Sequence, residues 1–297
     1  MPEPAAASGL PTVPVSLRVH LAHATVQAVA DEAGADVLHI KGPAVAQRLR
    51  PEGHVSVDAD VLVRPAHLVS LQAGLRRHGW QQVTTLRSGG LVEHSTNWCH
   101  PELGQLDLHV RFPGIQVEAG RAFDVLWRGR QTRQIAHRAC VVPGEDAQRL
   151  VQLLHVARDL EQHSSELELA WEQASETERA QLHRLVDELR ADVALAAATG
   201  RLEAYRDRPE YGLWKLYTEG TVTTAGFRRA IAEVRAAPDG IDRPRLHVIG
   251  YVLHALVFMP RRLASQSGRK ASLREVRAAY RAFLSRGRDL TRGLTAS

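Results

Sequence analysis

Two short segments in which polar and apolar residues alternate constrain the fold of this chain more than any other feature. They are VSVDADVLV, residues 55–63, and GQLDLHVRF, residues 104–112. Successive side chains of a β-strand point to opposite faces of the sheet. Asp58 and Asp60 should therefore share one face of the first strand, and a neighbouring second strand would bring Asp107 to the same place.

The carboxylates in this pattern indicate a chemistry as well as a secondary structure. Two like charges side by side are unfavourable unless a cation lies between them, and Mg²⁺ is held by few carboxylates together with substrate phosphates. Asp58, Asp60 and Asp107 are therefore typical of a two-metal phosphoryl-transfer site, with Ala59 and Val61 packed behind them. For an isolated D-x-D sequence, a strand end that enters a turn is the alternative interpretation.

A lysine and a glycine upstream of the first carboxylates form a second candidate site. Residues 37–40 read as a short strand, Lys41 and Gly42 follow, and Pro43 stands at the expected first turn of a helix. A glycine at such a junction lets the backbone approach a ligand, and the first N–H groups of a helix attract phosphate. The chain has three lysines against thirty-five arginines, which favours a contact between Lys41 and a triphosphate over a solvated surface lysine.

The order of these motifs resembles a known family. KGPAVAQRL, SVDADVLV, a helix that ends in LRRHGW, a histidine-containing strand and LDLHVRF follow one another along the chain. This order resembles the uncharacterised nucleotidyltransferase family of the DNA polymerase beta superfamily, and it is similar in architecture to antibiotic nucleotidyltransferases. The resemblance covers about residues 15–160, roughly half of the chain.

The resemblance implies a fold and a reaction. The fold would be α+β: a polymerase-beta-like nucleotidyltransferase domain with a small mixed sheet, followed by a mostly α-helical domain. The reaction would be the metal-dependent transfer of a nucleoside monophosphate from a nucleoside triphosphate such as ATP. The acceptor would be a hydroxyl or similar group on a small molecule or a protein.

The same resemblance assigns roles to individual residues. Asp58 and Asp60 would hold two Mg²⁺ ions, with Mn²⁺ as an alternative. Asp107 would bind the catalytic metal and help to deprotonate the acceptor hydroxyl. Lys41 and Gly42 would form the phosphate-binding turn.

Three further residues are candidates for nucleotide binding. His109 and Arg111 share the strand face of Asp107. His54 stands four residues before Asp58, where the family usually has an arginine that could clamp a phosphate. Because histidine loses its charge near neutral pH and arginine does not, this difference could reduce nucleotide affinity or activity.

The cysteine content indicates the redox state of the cellular compartment and the kind of metal site to expect. Cys99 and Cys140 are far apart, which argues against a disulfide scaffold and fits a reducing cytoplasm. Cys99 stands beside His100, but the chain has no C-x-x-C or H-x-x-x-H pair, so we do not expect a structural zinc site. His94 and His100 are weaker candidates for the site than His109.

Length and hydropathy predict the domain organisation. We expect a flexible tail over residues 1–14, a nucleotidyltransferase domain over 15–144 and a helical domain over 145–297. The longest apolar stretch, residues 246–259, is too short to span a bilayer and contains two histidines. We therefore expect a buried helix there and no membrane association.

Periodicity predicts the order of helices and strands. The expected helices of the first half cover residues 15–33, 43–50 and 66–78. The expected strands cover residues 37–40, 57–63, 80–86, 91–98, 105–111, 131–135 and 138–142. From residue 145 onward the chain reads as helical, with strong three- and four-residue spacing after residue 145 and over residues 176–199.

The C-terminal region leaves alternatives for the acceptor. Residues 241–297 carry twelve basic against three acidic residues. They could meet RNA or another anionic partner, although a solvated arginine-rich face is favoured because no aromatic residues alternate with the charges. A small-molecule or protein-modifying enzyme, an RNA-modifying enzyme and a non-catalytic nucleotide-binding protein all remain open, with RNA the less favoured acceptor.

Overall fold

The computed structural model describes residues 13–84, 94–158, 164–222 and 227–241, together with residues 272, 274 and 275. The chain divides into two compact units, residues 1–241 and 242–297, and every element below belongs to the first. The expected buried helix at 246–259, the basic C-terminal residues except Arg274 and most of the expected N-terminal tail lie outside the described residues.

The described part of the chain contains helices and strands in mixed order. The α-helices are α1 (Val15–Ala33), α2 (Leu68–Arg77), α3 (Ala119–Arg128), α4 (Glu145–Val156), α5 (Ser164–Leu167), α6 (Glu176–Leu189), α7 (Asp192–Ala198), α8 (Tyr211–Thr218) and α9 (Phe227–Arg235). The strands are β1 (Val37–His39), β2 (Asp58–Val63), β3 (Gln81–Gln82), β4 (Ser95–His100), β5 (Gly104–His109), β6 (Gln131–Ile135) and β7 (Arg138–Val142). Among these described helices, none is long and apolar enough to cross a membrane.

The first five strands form one mixed sheet in the order β1-β2-β5-β4-β3. Strands β2 and β5 pair in parallel, and the other neighbours are antiparallel. The expected small mixed sheet is therefore confirmed. Strands β6 and β7 form a separate hairpin, with the bounds that the sequence predicts.

One face of the large sheet is covered by α1 and α2. Ala59, Val61 and Val63 of β2 are buried there in one cluster with residues of both helices. Leu106 and Leu108 of β5 belong to the same cluster. Because side chains alternate along a strand, the aspartates between these residues point to the other face, as the sequence predicts.

The helices after β7 pack into a second core. Leu150 and Leu154 of α4 lie in one apolar cluster with Leu62 of β2 and with residues of α3, α6 and α7. Helices of the C-terminal half thus share a core with the sheet within the first unit. The expected domain boundary at residue 144 stays a prediction.

One expected helix differs from the structure. The expected helix at 43–50 is wrong, because two short 3₁₀ turns, Gly42–Ala44 and Gln47–Leu49, are separated by extended backbone. The helical spacing over residues 176–199 corresponds to two helices, α6 and α7. Arg190 ends α6 in the left-handed conformation with φ of 52°.

Strand β3 is shorter than expected. The backbone N–H groups of Val83 and Thr84 both donate to the carbonyl of Asn97, so the regular ladder ends after Gln82. The remaining strand predictions agree with the structure within one or two residues, apart from β4. The expected start of that strand, residues 91–93, lies outside the described residues, and the strand is observed over Ser95–His100.

Candidate active site

The strand register brings two of the predicted carboxylates side by side. Asp60 of β2 pairs with Asp107 of the parallel strand β5, and Asp58 pairs with Gln105. Asp58 lies two residues before Asp60 on the same face, where the two strands present their side chains away from the core under α1 and α2. The predicted meeting of the three carboxylates on one surface thus follows from a single parallel pairing.

Asp60 is the buried centre of this arrangement. Its side chain accepts from Lys41 Nζ at 2.6 Å and from His109 Nε2 at 3.0 Å. The residue is 3% exposed, and burial alone would raise the pKa of its carboxyl group. The positive charge of Lys41 and the contact with His109 outweigh that effect and hold the pKa of Asp60 well below its usual range.

His109 bridges the two facing carboxylates. Its Nε2 atom also lies 3.1 Å from Asp107 Oδ2, and its ring is 2% exposed. Burial lowers the pKa of His109, but Asp107 and Asp60 together raise it above the ordinary histidine value. The imidazole is thus held where one nitrogen can contact both carboxylates.

The outer carboxylates have opposite electrostatic environments. Burial and the neighbouring charge of Asp60 raise the pKa of Asp58, against the influence of Lys41. Burial also acts to raise the pKa of Asp107, but His109 outweighs it and lowers that pKa. Folding therefore disfavours the charged form of Asp58 and favours that of Asp107.

The donor atoms fit a divalent cation. Ligand atoms of Asp60, Asp107 and His109 all lie within 4.8 Å of one another. Asp107 Oδ1 is buried and accepts no hydrogen bond from any described residue, and Asp58 carries a charge that its surroundings disfavour. Asp58 is not part of that cluster. A cation beside Asp107 Oδ1 would satisfy that atom, and a cation beside Asp58 would neutralise its charge.

The turn at Lys41 and Gly42 adopts a conformation that requires glycine. Gly42 has φ of +59°, and a Cβ atom there would lie 2.6 Å from Ser56 Oγ. The turn leads into a 3₁₀ helix of three residues, so a helix dipole contributes little to phosphate binding here. Any attraction for phosphate must come from Lys41 and from backbone N–H groups.

Two separate cavities flank the carboxylates. The first cavity, of about 250 Å³, contains Lys41, Gly42, His54, Asp58 and Asp60. We call it the donor-side cavity, after the phosphate contact expected from the sequence for Lys41 and Gly42. A second cavity of about 330 Å³ contains Asp107, Arg111, Phe112, Arg158, Trp214 and Tyr217 among its lining residues. No described residue lines both cavities, so the carboxylate group divides two spaces.

The predicted site residues are distributed between these spaces. Lys41, Gly42 and His54 lie with Asp58 in the donor-side cavity, where His54 Nδ1 is 3.9 Å from a carboxylate oxygen of Glu166. Arg111 lines the second cavity, and its expected contact with a nucleotide stays a prediction. His109 lines neither cavity in the described part of the chain.

The weaker histidine and cysteine candidates lie outside the carboxylate cluster. His94 lines the second cavity, with its ring centroid 6.4 Å from that of His109. His100 accepts from two backbone N–H groups of the turn that follows β4. Cys99 and Cys140 are free, and the only metal-binding cluster found among the described residues is the one that contains His109.

Sequence reasoning missed a buried histidine pair behind the site. His23 of α1 and His39 of β1 are fully buried, with their Nδ1 atoms 2.7 Å apart. The backbone N–H of Val141 donates to Gln27 Oε1, which identifies that atom as the amide oxygen. His39 Nε2, 3.2 Å from the same oxygen, must therefore be a donor. His39 Nδ1 must then accept from His23. The signal was present, because His23 falls on the apolar stripe of α1.

This pair predicts acid sensitivity. Burial lowers the pKa of His23 from 6.5 to about 4 and lowers that of His39 well below its usual value. Between the pKa of 6.5 in the unfolded chain and the lowered pKa in the folded protein, the unfolded chain binds protons that the folded protein does not. The stability is therefore fully present above pH 6.5 and falls as the pH drops, by about 1.4 kcal/mol per pH unit for each histidine.

Urea unfolding across this pH range tests the prediction. His23→Asn should reduce the slope of unfolding free energy against pH, because one of the two proton-binding differences is removed. His183→Gln, at an exposed position on α6, is the control and should leave the slope unchanged. A wild-type slope near zero between pH 6.5 and about 4 would contradict the assignment.

Comparison with known proteins gives distant similarities. No protein-family model matches the chain, and no curated protein matches it. Among solved structures, it is similar to the lincosamide antibiotic adenylyltransferase LnuA bound to lincomycin, at 15% identity and a TM-score of 0.31. That alignment covers 54% of this chain and 92% of the other.

A second solved structure gives a similar result. The chain aligns with the antibiotic-resistance factor ANT(2'')-Ia at 16% identity and a TM-score of 0.37, over 65% of this chain and 97% of the other.

Proposed function

We propose that this protein is a metal-dependent nucleotidyltransferase that transfers a nucleoside monophosphate from a nucleoside triphosphate to a hydroxyl or similar acceptor on a small molecule or protein. One observation carries the proposal. The parallel pairing of β2 and β5 places Asp60 beside Asp107, with Asp58 on the same face and Lys41 Nζ 2.6 Å from Asp60. Carboxylates on adjacent strands beside a lysine are suited to metal ions and to a triphosphate.

The metal-binding residues in this proposal are Asp58, Asp60 and Asp107. When bound, two Mg²⁺ ions, or Mn²⁺ in their place, supply neutralisation of the triphosphate charge. Asp60 anchors the site because it is buried and ionised, and His109 fixes the orientation of Asp60 and Asp107 through one nitrogen atom.

The remaining residues position the donor and move the proton. Lys41 and Gly42 bind the triphosphate in the donor-side cavity, with His54 at the same wall. Asp107 accepts the proton of the acceptor hydroxyl, whose oxygen forms a bond to the α-phosphorus. The bond from that phosphorus to pyrophosphate breaks, and pyrophosphate leaves with the electron pair.

The proposal can be tested without knowledge of the acceptor. We expect one or more nucleoside triphosphates to raise the melting temperature in the presence of Mg²⁺ or Mn²⁺, because a ligand that binds only the folded state stabilises it. Asp58→Asn should abolish the shift. Glu52→Gln, close in sequence and exposed, is the matched control. The absence of a shift with any triphosphate and either metal would contradict nucleotide binding, and with it the proposed transfer.

A further inference from the structure

The division of the site into two cavities locates the acceptor, if the proposed function holds. Asp58 and Asp60 open on the donor-side cavity with Lys41, whereas Asp107 opens on the second cavity. In phosphoryl transfer the attacking and leaving oxygens lie roughly in line on opposite sides of phosphorus. An acceptor hydroxyl that gives its proton to Asp107 therefore belongs in the second cavity.

We propose that this second cavity selects a small hydroxylated acceptor with a planar apolar body and an anionic group, and that it excludes polycationic acceptors. The acceptor role of the ligand rests on the proposed function. The chemical class of the ligand rests on the residues that line the cavity. Three features of the lining support it: an apolar wall, a guanidinium group that pairs with no carboxylate among the described residues, and a limited volume.

The apolar wall is built from aromatic residues. Trp214, which is 2% exposed, lies with its ring centroid 5.6 Å from that of Tyr217, and Phe112 lines the same space. Gly114 passes close beneath, since a Cβ there would lie 3.3 Å from the Trp214 ring and 2.9 Å from Ala194. Such a wall offers flat contact area to a planar ligand.

The charges of the cavity favour an anion. Glu233 forms an ion pair with Arg229 at 2.6 Å, and Asp107 is held by His109. Arg158 lies over the Tyr217 ring, 5.9 Å from its centroid, and pairs with no carboxylate among the described residues. Arg111 lines the same cavity and donates to the backbone carbonyl of Asp239 at 3.4 Å. The Arg158 guanidinium lies against the aromatic wall, where it can meet an anionic group of a ligand that stacks there.

The size of the cavity limits the acceptor. A volume of about 330 Å³ lies at the lower end of small-molecule sites, which run from about 300 to 1,000 Å³. An aromatic ring with a short charged arm fills such a space. A polycation would place like charges beside Arg158 and would lose hydration without gaining a carboxylate partner.

A pair of probes with the same phenol and opposite charges tests this selection. We would titrate the full-length protein with para-hydroxyphenylacetate and with tyramine by calorimetry. The acid should bind about tenfold more tightly than the amine, as expected for one charge-assisted hydrogen bond. Arg158→Gln should remove the difference, and Arg184→Gln, at an exposed position on α6, should preserve it.

The outcomes separate this inference from the proposed function. Equal or tighter binding of tyramine, no binding of the acid, or an unchanged preference in Arg158→Gln overturns the inference. If triphosphate with metal still raises the melting temperature, nucleotide binding stands without this acceptor class. If that shift is absent while the acid preference is present, the cavity binds anions but the acceptor role is overturned. Both positive results together support the inference.

Discussion

Asp60→Asn is expected to unfold more easily than wild type and to lose transfer activity. The substitution replaces the carboxylate beside Lys41 and His109 with a neutral amide, whose single oxygen still accepts but carries no charge to balance theirs. Removing one partner of a buried ion pair costs about 3 kcal/mol, because the remaining charge is desolvated without compensation. Loss of a fixed charge at the reacting phosphate should lower the transfer rate by about a thousandfold.

Chemical unfolding and pyrophosphate release measure the two effects. The pH dependence adds a check, since the pKa of Asp60 is lowered in the folded state. Its stabilisation is present above the ordinary aspartate pKa of 3.8 and is lost as the pH falls below it. Asp60→Asn should therefore differ from wild type most at neutral pH. Wild-type stability for this variant at neutral pH would show that Asp60 is not the buried anchor.

Asp58→Asn is expected to lose activity without losing stability. Folding raises the pKa of this carboxyl, through burial and the charge of Asp60. The ionised carboxylate is therefore less stable in the folded protein than in the unfolded chain. An uncharged amide of similar shape removes that repulsion. The melting temperature without ligand should stay the same or rise, while metal-dependent transfer falls by about a hundredfold or more.

The contrast between the two aspartates is the informative result. Both substitutions remove one carboxylate from the same strand, two residues apart, so each serves as the control for the other. A group retained despite a stability cost is typical of a functional site. If Asp58→Asn destabilised the protein as much as Asp60→Asn, Asp58 would be a structural residue and the two-metal proposal would be contradicted.

The sequence predicted the sheet residues well because one physical rule governs them. Alternation in VSVDADVLV and LDLHVRF assigns each side chain to a face, and the apolar set Ala59, Val61 and Val63 is buried together as expected. The segment at 43–50 failed because its apolar residues fit a helical spacing, whereas Val45 and Ala46 are extended in the structure and are buried. Local periodicity cannot distinguish these cases.

The sequence indicates candidate site residues but not the geometry that brings them together. The types of Asp58, Asp60 and Asp107 indicate metal chemistry, but their distance depends on a parallel pairing that no local pattern specifies. The position of His109 between two carboxylates depends on the same pairing. The placement of Arg111 in the second cavity, with Trp214 and Tyr217, depends on the packing of helices much later in the chain. No local motif predicts that packing.

The parallel pairing of β2 with β5 affects the order in which the protein folds. Parallel neighbours cannot be joined by a tight hairpin, and here α2, β3 and β4 intervene. The carboxylate cluster is therefore made from contacts between residues that are far apart in the sequence. Forming these contacts costs loop-closure entropy before they contribute any stabilisation. A nascent chain that has emerged only as far as β4 contains Asp58 and Asp60 but not the strand that carries their partner. Assembly of the carboxylate cluster should thus occur late in folding, after β5 has joined the sheet.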